Sequence, residues 1–257
     1  MYRYAVYIDT GVHESRNDDR AFVDGNVIEN GWLLGTSDKP HFLAAVCDGA
    51  GGVKQGGRAA GMTVQGIGRY DREGLSAADI RAAIEKINSL VIATGEAEGA
   101  RSELMTTIAG IYVCGEDLTV FNAGDSRVYR YRGQYLRQLS KDHSYVQDLV
   151  DIGKLTPEEA HAHPKKNIIN KFIGIEQPVS PRIKEFADDL IVGDIYLVCS
   201  DGISDVLTDA EICEVMKNHS RDDKLDRCCR ALRDAAVRAG SLDNMTVLLV
   251  RKEGTEE

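Results

Sequence analysis

Apolar positions in this chain alternate over short runs and then recur at helical spacing over longer ones. Strand-like runs fall at Tyr2–Ile8, Ala21–Ile28, Phe42–Cys47, Thr106–Val113, Leu118–Asn122, Arg127–Arg132, Arg182–Phe186, Asp194–Cys199 and Met245–Arg251. Short turns join many of them, which predicts largely antiparallel sheets. Tyr112 to Tyr131 reads as a meander: strand, Cys114-Gly115-Glu116-Asp117 turn, strand, Gly124-Asp125-Ser126 break, strand. Asp24-Gly25 lies between two short apolar runs and reads as a hairpin tip, because Gly takes positive φ at no steric cost.

Helices carry clearer punctuation. Ser76 caps a run in which Ile80, Ile84, Ile87 and Val91 share a face, with Asp79 completing the box. Thr156-Pro157-Glu158-Glu159 is a start signal, and Thr208 with Glu211 repeats the capping box before Ile212, Val215 and Met216. Leu225 to Ala239 is amphipathic and stops at Gly240, and Lys54 to Arg69 reads as helical despite Gly56, Gly57 and Gly61. One-sided helices cover sheets rather than build a bundle of their own. Strands and helices interleave without a composition break, so residues 1–257 read as a single domain.

Composition adds little to that picture. The content is 43% hydrophobic and 28% charged, as in ordinary globular proteins. The formal net charge of −10 and the lack of a basic stripe argue against nucleic acid, and no apolar run is long enough for a membrane span. Cys47, Cys114, Cys199, Cys213, Cys228 and Cys229 show no C-x-x-C spacing and read as reduced. With no signal peptide ahead of Tyr2, the cytoplasm is the expected location.

The candidate chemistry lies in acids at strand ends. Leu43–Cys47 runs into Asp48-Gly49-Ala50-Gly51-Gly52, and Tyr196–Cys199 runs into Ser200-Asp201-Gly202-Ile203-Ser204-Asp205. Asp243-Asn244 precedes the run from Met245. Taken singly, each Asp-Gly reads equally as turn or ligand. Together, rigid strands that end in carboxylates are a frame for a hard cation. No His or Cys stands at ligand spacing, which favours Mg²⁺ or Mn²⁺ over Zn²⁺. Two such ions activate water and neutralise phosphoryl oxygens, so no protein nucleophile is required. Ser15, Ser126 and Ser144 have no His–Asp pattern beside them.

In chain order the motifs are Asn17-Asp18-Asp19, Asp48-Gly49, Met105-Thr106-Thr107, Gly124-Asp125-Ser126-Arg127, Lys141-Asp142-His143-Ser144, Ser200-Asp201-Gly202 and Asp243-Asn244-Met245-Thr246. This order resembles the metal-dependent protein phosphatases of the type-2C, or PPM, family in compact bacterial form, from about Tyr4 to Val250. The resemblance implies an α+β fold, a four-layer α-β-β-α sandwich with two central, mainly antiparallel sheets. It implies a binuclear Mn²⁺ or Mg²⁺ centre with Asp48 bridging, the Gly49 carbonyl on one ion, and Asp201 and Asp243 on the other. Asp18 and Asp19 match the family's acidic pair, acting directly or through waters. Asp125 and Asp205 match ligands of a third, weaker ion; read alone, they are equally turn or cap acids. The implied activity is hydrolysis of phosphoserine and phosphothreonine in proteins, with a cognate kinase as a possible partner. The rival reading is a pseudophosphatase, a metal-binding sensor of phosphoproteins.

The chain departs from the family pattern at Glu14, where a phosphate-binding Arg is usual. A carboxylate repels phosphate. Arg16 is the nearest substitute and His13 a weaker one. Ala50 stands where eukaryotic members carry His. His143 to Gly174 resembles the family's flap, within which Lys165 and Lys166 read either as contacts for acidic partners or as plain surface lysines.

Overall fold

The structure, a computed structural model, describes residues 1–12, 14–50, 54–100, 103–175, 178–219 and 224–254. Its strands are β1 (Tyr2–Asp9), β2 (Arg20–Val23), β3 (Asn26–Ile28), β4 (Gly31–Ser37), β5 (His41–Cys47), β6 (Ile108–Cys114), β7 (Asp117–Ala123), β8 (Arg127–Arg132), β9 (Tyr135–Gln138), β10 (Arg182–Phe186), β11 (Ile195–Cys199) and β12 (Met245–Lys252). Its helices are α1 (Gly56–Gly68), α2 (Ala77–Ala97), α3 (Tyr145–Asp151), α4 (Pro157–His161), α5 (Asp201–Ser204), α6 (Asp209–His219) and α7 (Leu225–Arg238).

Two six-stranded sheets form, in the orders β4-β1-β12-β11-β8-β9 and β10-β7-β6-β5-β2-β3. Their strand pairs are antiparallel. Side-chain alternation explains the layers. On β1, Tyr4, Val6 and Ile8 point inward and meet Phe42, Val46, Ile111, Val198 and Leu248 between the sheets. Ala5 points the other way, against Leu232 and Cys229 of α7. On the far side, Val64 and Ile67 of α1 and Ile84 and Val91 of α2 cover Leu43, Ile108 and Phe121. Each such buried aliphatic contributes about 1.5–3 kcal/mol. The α-β-β-α sandwich is therefore present as expected.

The capping signals hold where they were read. Ser76 accepts from the Asp79 amide while Asp79 reaches back to the Ser76 amide, and Thr156 with Glu159 does the same. Asp24 and Gly25 take φ of 47° and 84°, which makes the β2–β3 hairpin tip.

The meander needs correcting at its third strand. β6 and β7 pair as a hairpin, but β8 pairs with β11 in the other sheet. The Gly124-Asp125-Ser126 break is a crossover, with Gly124 at φ 117° turning the chain between the layers. β8 suits that place because Val128 faces the inter-sheet core while Tyr129 and Tyr131 face the helices. Two strands were not legible. β4 contains Gly31 and Gly35, and Gly35 lies opposite Tyr4, whose ring occupies the space a Cβ would need. β9 returns on β8 after a tight turn at Gly133.

Candidate metal centre

Register brings the acidic steps to one edge of the sandwich. Arg20 lies opposite Cys47, so Asp18 and Asp19 enter β2 beside the point where β5 ends at Asp48. Cys199 lies opposite both Val247 and Arg127, so Asp201, Asp243 and Asp125 emerge together from the ends of β11, β12 and β8. Across the inter-sheet core, the two groups face the same edge.

The three Asp-Gly steps separate by what their glycines do. Gly25 has positive φ and open space around it. Gly49 and Gly202 are not among the positive-φ glycines; they are small because backbone packs on them. A Cβ on Gly49 would lie 2.3 Å from the Gly56 carbonyl carbon, and one on Gly202 would lie 2.0 Å from the Asn244 oxygen. The glycine-rich start of α1 therefore lies directly on the Asp48 loop, and α5 lies directly on the Asp243-Asn244 loop. Gly51 and Gly52 lie outside the described residues.

Polar neighbours hold the carboxylates in place. Asp19 is buried, and its Oδ2 accepts from Ser200 and Thr246 hydroxyls at 2.7 Å each. The Asp48 amide donates to Thr107 Oγ1 at 3.1 Å, and the Thr106 hydroxyl donates to the Asp48 carbonyl at 2.7 Å. Thr106 and Thr107 thus brace the Asp48 loop from the end of the sheet. Asn244 was quoted only as part of a motif, and the structure gives it a task. Its Oδ1 accepts from the Asp18 amide at 2.7 Å, while its Nδ2 donates to the Thr10 and Arg16 carbonyls. One amide side chain so ties the Asp18 loop to the Asp243 loop. Ser200 and Thr246 are similarly new, and an uncharged hydroxyl beside an acid in a motif is the sequence signal that could have found them.

The electrostatics are those of crowded acids. Burial, followed by the charges of Asp201 and Asp19, raises the Asp48 carboxyl well above its ordinary range. Burial, followed by Asp125, Asp205 and Asp243, does the same to Asp201. Burial carries Asp19 to about 6 despite its hydroxyl donors. The oxygens Asp19 Oδ1, Asp125 Oδ1 and Asp201 Oδ1 are buried without a hydrogen-bond partner. Among the described residues, no three Asp, Glu, His or Cys side chains form a finished ligand set. What the edge offers is fixed, unpartnered carboxylate oxygens with room for other donors. That fits hard divalent cations such as Mg²⁺ or Mn²⁺, which take oxygen ligands and can keep waters beside one or two carboxylates.

Asp243 is exposed, with Oδ1 accepting from the Asn244 amide at 2.7 Å. Asp125 is 7% exposed and carried to about 7 by burial, then by Asp142 and Asp205. Arg127 makes a fork to Asp142 at 2.7–3.2 Å close by. Asp205 caps α5 and meets Lys166 of the flap: Lys166 Nζ lies 2.5 Å from the Asp205 carbonyl oxygen and 3.6 Å from its Oδ2. Arg16 stands at the rim with its guanidinium on Asp18 Oδ2 at 2.8–2.9 Å and on the Lys54 carbonyl at 2.9 Å. Glu14 is exposed, and His13 lies outside the described residues. The flap is closed at its root. Tyr145 donates to the Ile168 carbonyl, Asn170 donates to the His143 carbonyl, and His143 and Gly124 exchange backbone and ring hydrogen bonds. His143 therefore orients a loop.

The protein phosphatase 2C family profile matches residues 20–245 of this chain. The serine/threonine protein phosphatase PstP of Mycobacterium tuberculosis is 32% identical over 97% of the chain. The chain spans 45% of the length of that relative. The serine/threonine phosphatase stp of Listeria monocytogenes is 29% identical, over 96% of this chain and 98% of its own. Among solved structures, that of the M. tuberculosis phosphatase PstP/Ppp superposes with a TM-score of 0.83 at 32% identity, covering 98% of this chain and 99% of its own. A PstP catalytic domain in complex with two manganese ions superposes with a TM-score of 0.79 at 30% identity, covering 98% of this chain and 99% of its own. With the profile spanning most of its length and its acids gathered at one sandwich edge, this chain belongs to the protein phosphatase 2C family.

Proposed function

We propose that the chain, acting as one catalytic unit, is a Mn²⁺- or Mg²⁺-dependent phosphatase that hydrolyses phosphoserine and phosphothreonine in proteins. The observation that carries this reading is the buried Asp19, fixed by Ser200 and Thr246 with Oδ1 unpartnered, beside the mutually repelling Asp48 and Asp201. The names of the relatives and the two manganese ions of the PstP structure support turnover over a sensor role.

Asp48, Asp201 and Asp243 would hold the catalytic pair of ions, with the Gly49 carbonyl and Asp18 and Asp19 contributing directly or through water. Asp125 and Asp205 would hold a third. Bound divalent ions supply an activated water and neutralise the phosphoryl oxygens. The chain's own residues do the positioning. Ser200 and Thr246 keep Asp19 from rotating, Asn244 fixes the spacing of the Asp18 and Asp243 loops, and Thr106 and Thr107 hold the Asp48 backbone. Arg16 is the rim group closest in sequence to the missing phosphate Arg, and its salt bridge to Asp18 places a guanidinium beside the acids. The exposed Glu14 gives the site lower affinity for small aryl phosphates than family members with Arg there. Phosphoproteins, among them a cognate kinase, are the proposed partners, and the six free cysteines suit the cytoplasm.

The test is hydrolysis of a phosphothreonine peptide. We expect turnover with Mn²⁺, none with EDTA, and a loss of at least about 100-fold in kcat for Asp48→Asn. An inert wild type at saturating Mn²⁺ would overturn the enzyme reading.

A further inference from the structure

Lys166 is the flap residue that reaches the acidic edge. Its ammonium touches both the carbonyl oxygen and the carboxylate of Asp205, at 2.5 and 3.6 Å. The two side chains are 28% and 24% exposed, so the contact is partly withdrawn from water. Asp205 shares its surroundings with Asp125 and Asp201, each with a buried Oδ1 that has no hydrogen-bond partner. Asp125 is itself more than nine-tenths buried. A carboxylate and a carbonyl are the donors a hard divalent ion takes, and here one end of that set already holds a monovalent cation. The cation is tethered: Lys166 lies just beyond α4, whose end is tied down by the His163 and Lys166 amides bonding back to the Ala160 and His163 carbonyls.

We propose that Lys166 is a built-in competitor for the third metal position, holding the flap on Asp205 until a third divalent ion displaces it. The inference rests on reading Asp125 and Asp205 as third-ion ligands. Lys166 and a divalent ion on Asp205 repel each other across one carboxylate, so each weakens the other's hold there. The flap is thereby coupled to metal concentration: bound to Asp205 at low metal, released at high metal. The coupling is reciprocal, so a protein substrate that pulls the flap away would tighten the third ion by the same factor.

Calorimetric titration of metal-free protein with Mn²⁺, with hydrogen exchange across residues 143–174, tests this. Lys166→Met should tighten the weakest Mn²⁺ site by roughly fivefold or more, whereas Lys166→Arg, which keeps the charge, should stay near wild type. In wild type, exchange near Lys166 should rise only as that site fills; in Lys166→Met it should be fast at every Mn²⁺ level. Asp125→Asn should abolish the weakest site. If Asp125→Asn does so while Lys166→Met leaves its affinity unchanged, the competitor is overturned and the third-ion reading stands. If Asp125→Asn and Asp205→Asn leave every Mn²⁺ site intact, the third-ion reading fails, and the competitor with it.

Discussion

A Cβ on Gly202 would stand 2.0 Å from the Asn244 carbonyl oxygen, while one on Gly25 would meet nothing within 4 Å. The two glycines look alike in sequence and are needed for different reasons. Gly202→Ala must push α5 off the loop that carries Asp243 and Asn244, and Asn244 also holds the Asp18 amide. It should lower unfolding free energy by about 1–3 kcal/mol and weaken Mn²⁺ binding. Gly25→Ala strains only a turn at φ 84°; it should cost about 1 kcal/mol and leave Mn²⁺ binding untouched. Urea denaturation paired with Mn²⁺ titration checks both. At this scale the acids were legible because Asp stands out beside apolar runs. Asn244, Ser200 and Thr246 were not, since their value depends on which distant groups they meet.

The capped helices are the elements that local chemistry explains best. Ser76 Oγ accepts from the Asp79 amide at 3.1 Å, and the Asp79 carboxylate accepts from the Ser76 amide at 3.0 Å. The Ser76 hydroxyl, which donates to the same carboxylate at 2.6 Å, and then the Ser76 amide lower Asp79 from its ordinary value. Ser76→Ala should cost about 1 kcal/mol of stability with kcat and KM unchanged, because the capped end of α2 lies beside Tyr112, at the other end of β6 from Thr107; thermal melts and steady-state assays separate the two effects. β4 and the crossover at Gly124 show the opposite case. Gly35 is compatible with a strand only because Tyr4 lies across from it, and β8 changes sheets only because its two faces match different layers. The one-turn α5, with no side-chain cap, exists to aim Asp201 and Asp205.

For the molecule as a whole, the crowded acids set a pH dependence. Burial, chiefly, raises Asp19 and Asp125 from the ordinary carboxylate value to about 6 and about 7. The folded metal-free protein keeps these protons where the unfolded chain has already lost them. Its stability from these groups therefore falls as pH rises from about 4 through 7, and holds below that window. In a melting-temperature series without metal, Asp125→Asn should lack the upper part of that fall. Divalent ions reverse the sign, because they replace the protons: stabilisation by a fixed Mn²⁺ concentration should grow from pH 5.5 to 7.5, with proton release on binding. A stabilisation that shrinks with pH would show that these carboxylates do not bind the ion.

Sequence alone determined the elements with local causes: capped helices, alternating strands, the Asp24-Gly25 hairpin and the acids at strand ends. Those signals act over a few residues, where propensity and hydrogen bonding within the segment decide. Tertiary structure decided the rest. Which sheet β8 joins, why Gly202 has no side chain, which hydroxyls hold Asp19 and why Lys166 lies on Asp205 all depend on groups tens to hundreds of residues apart. Their cause is packing: two sheets pressed face to face leave one edge where acids are crowded together, and the cost of burying them there is the physical reason that edge is proposed as a place for metal.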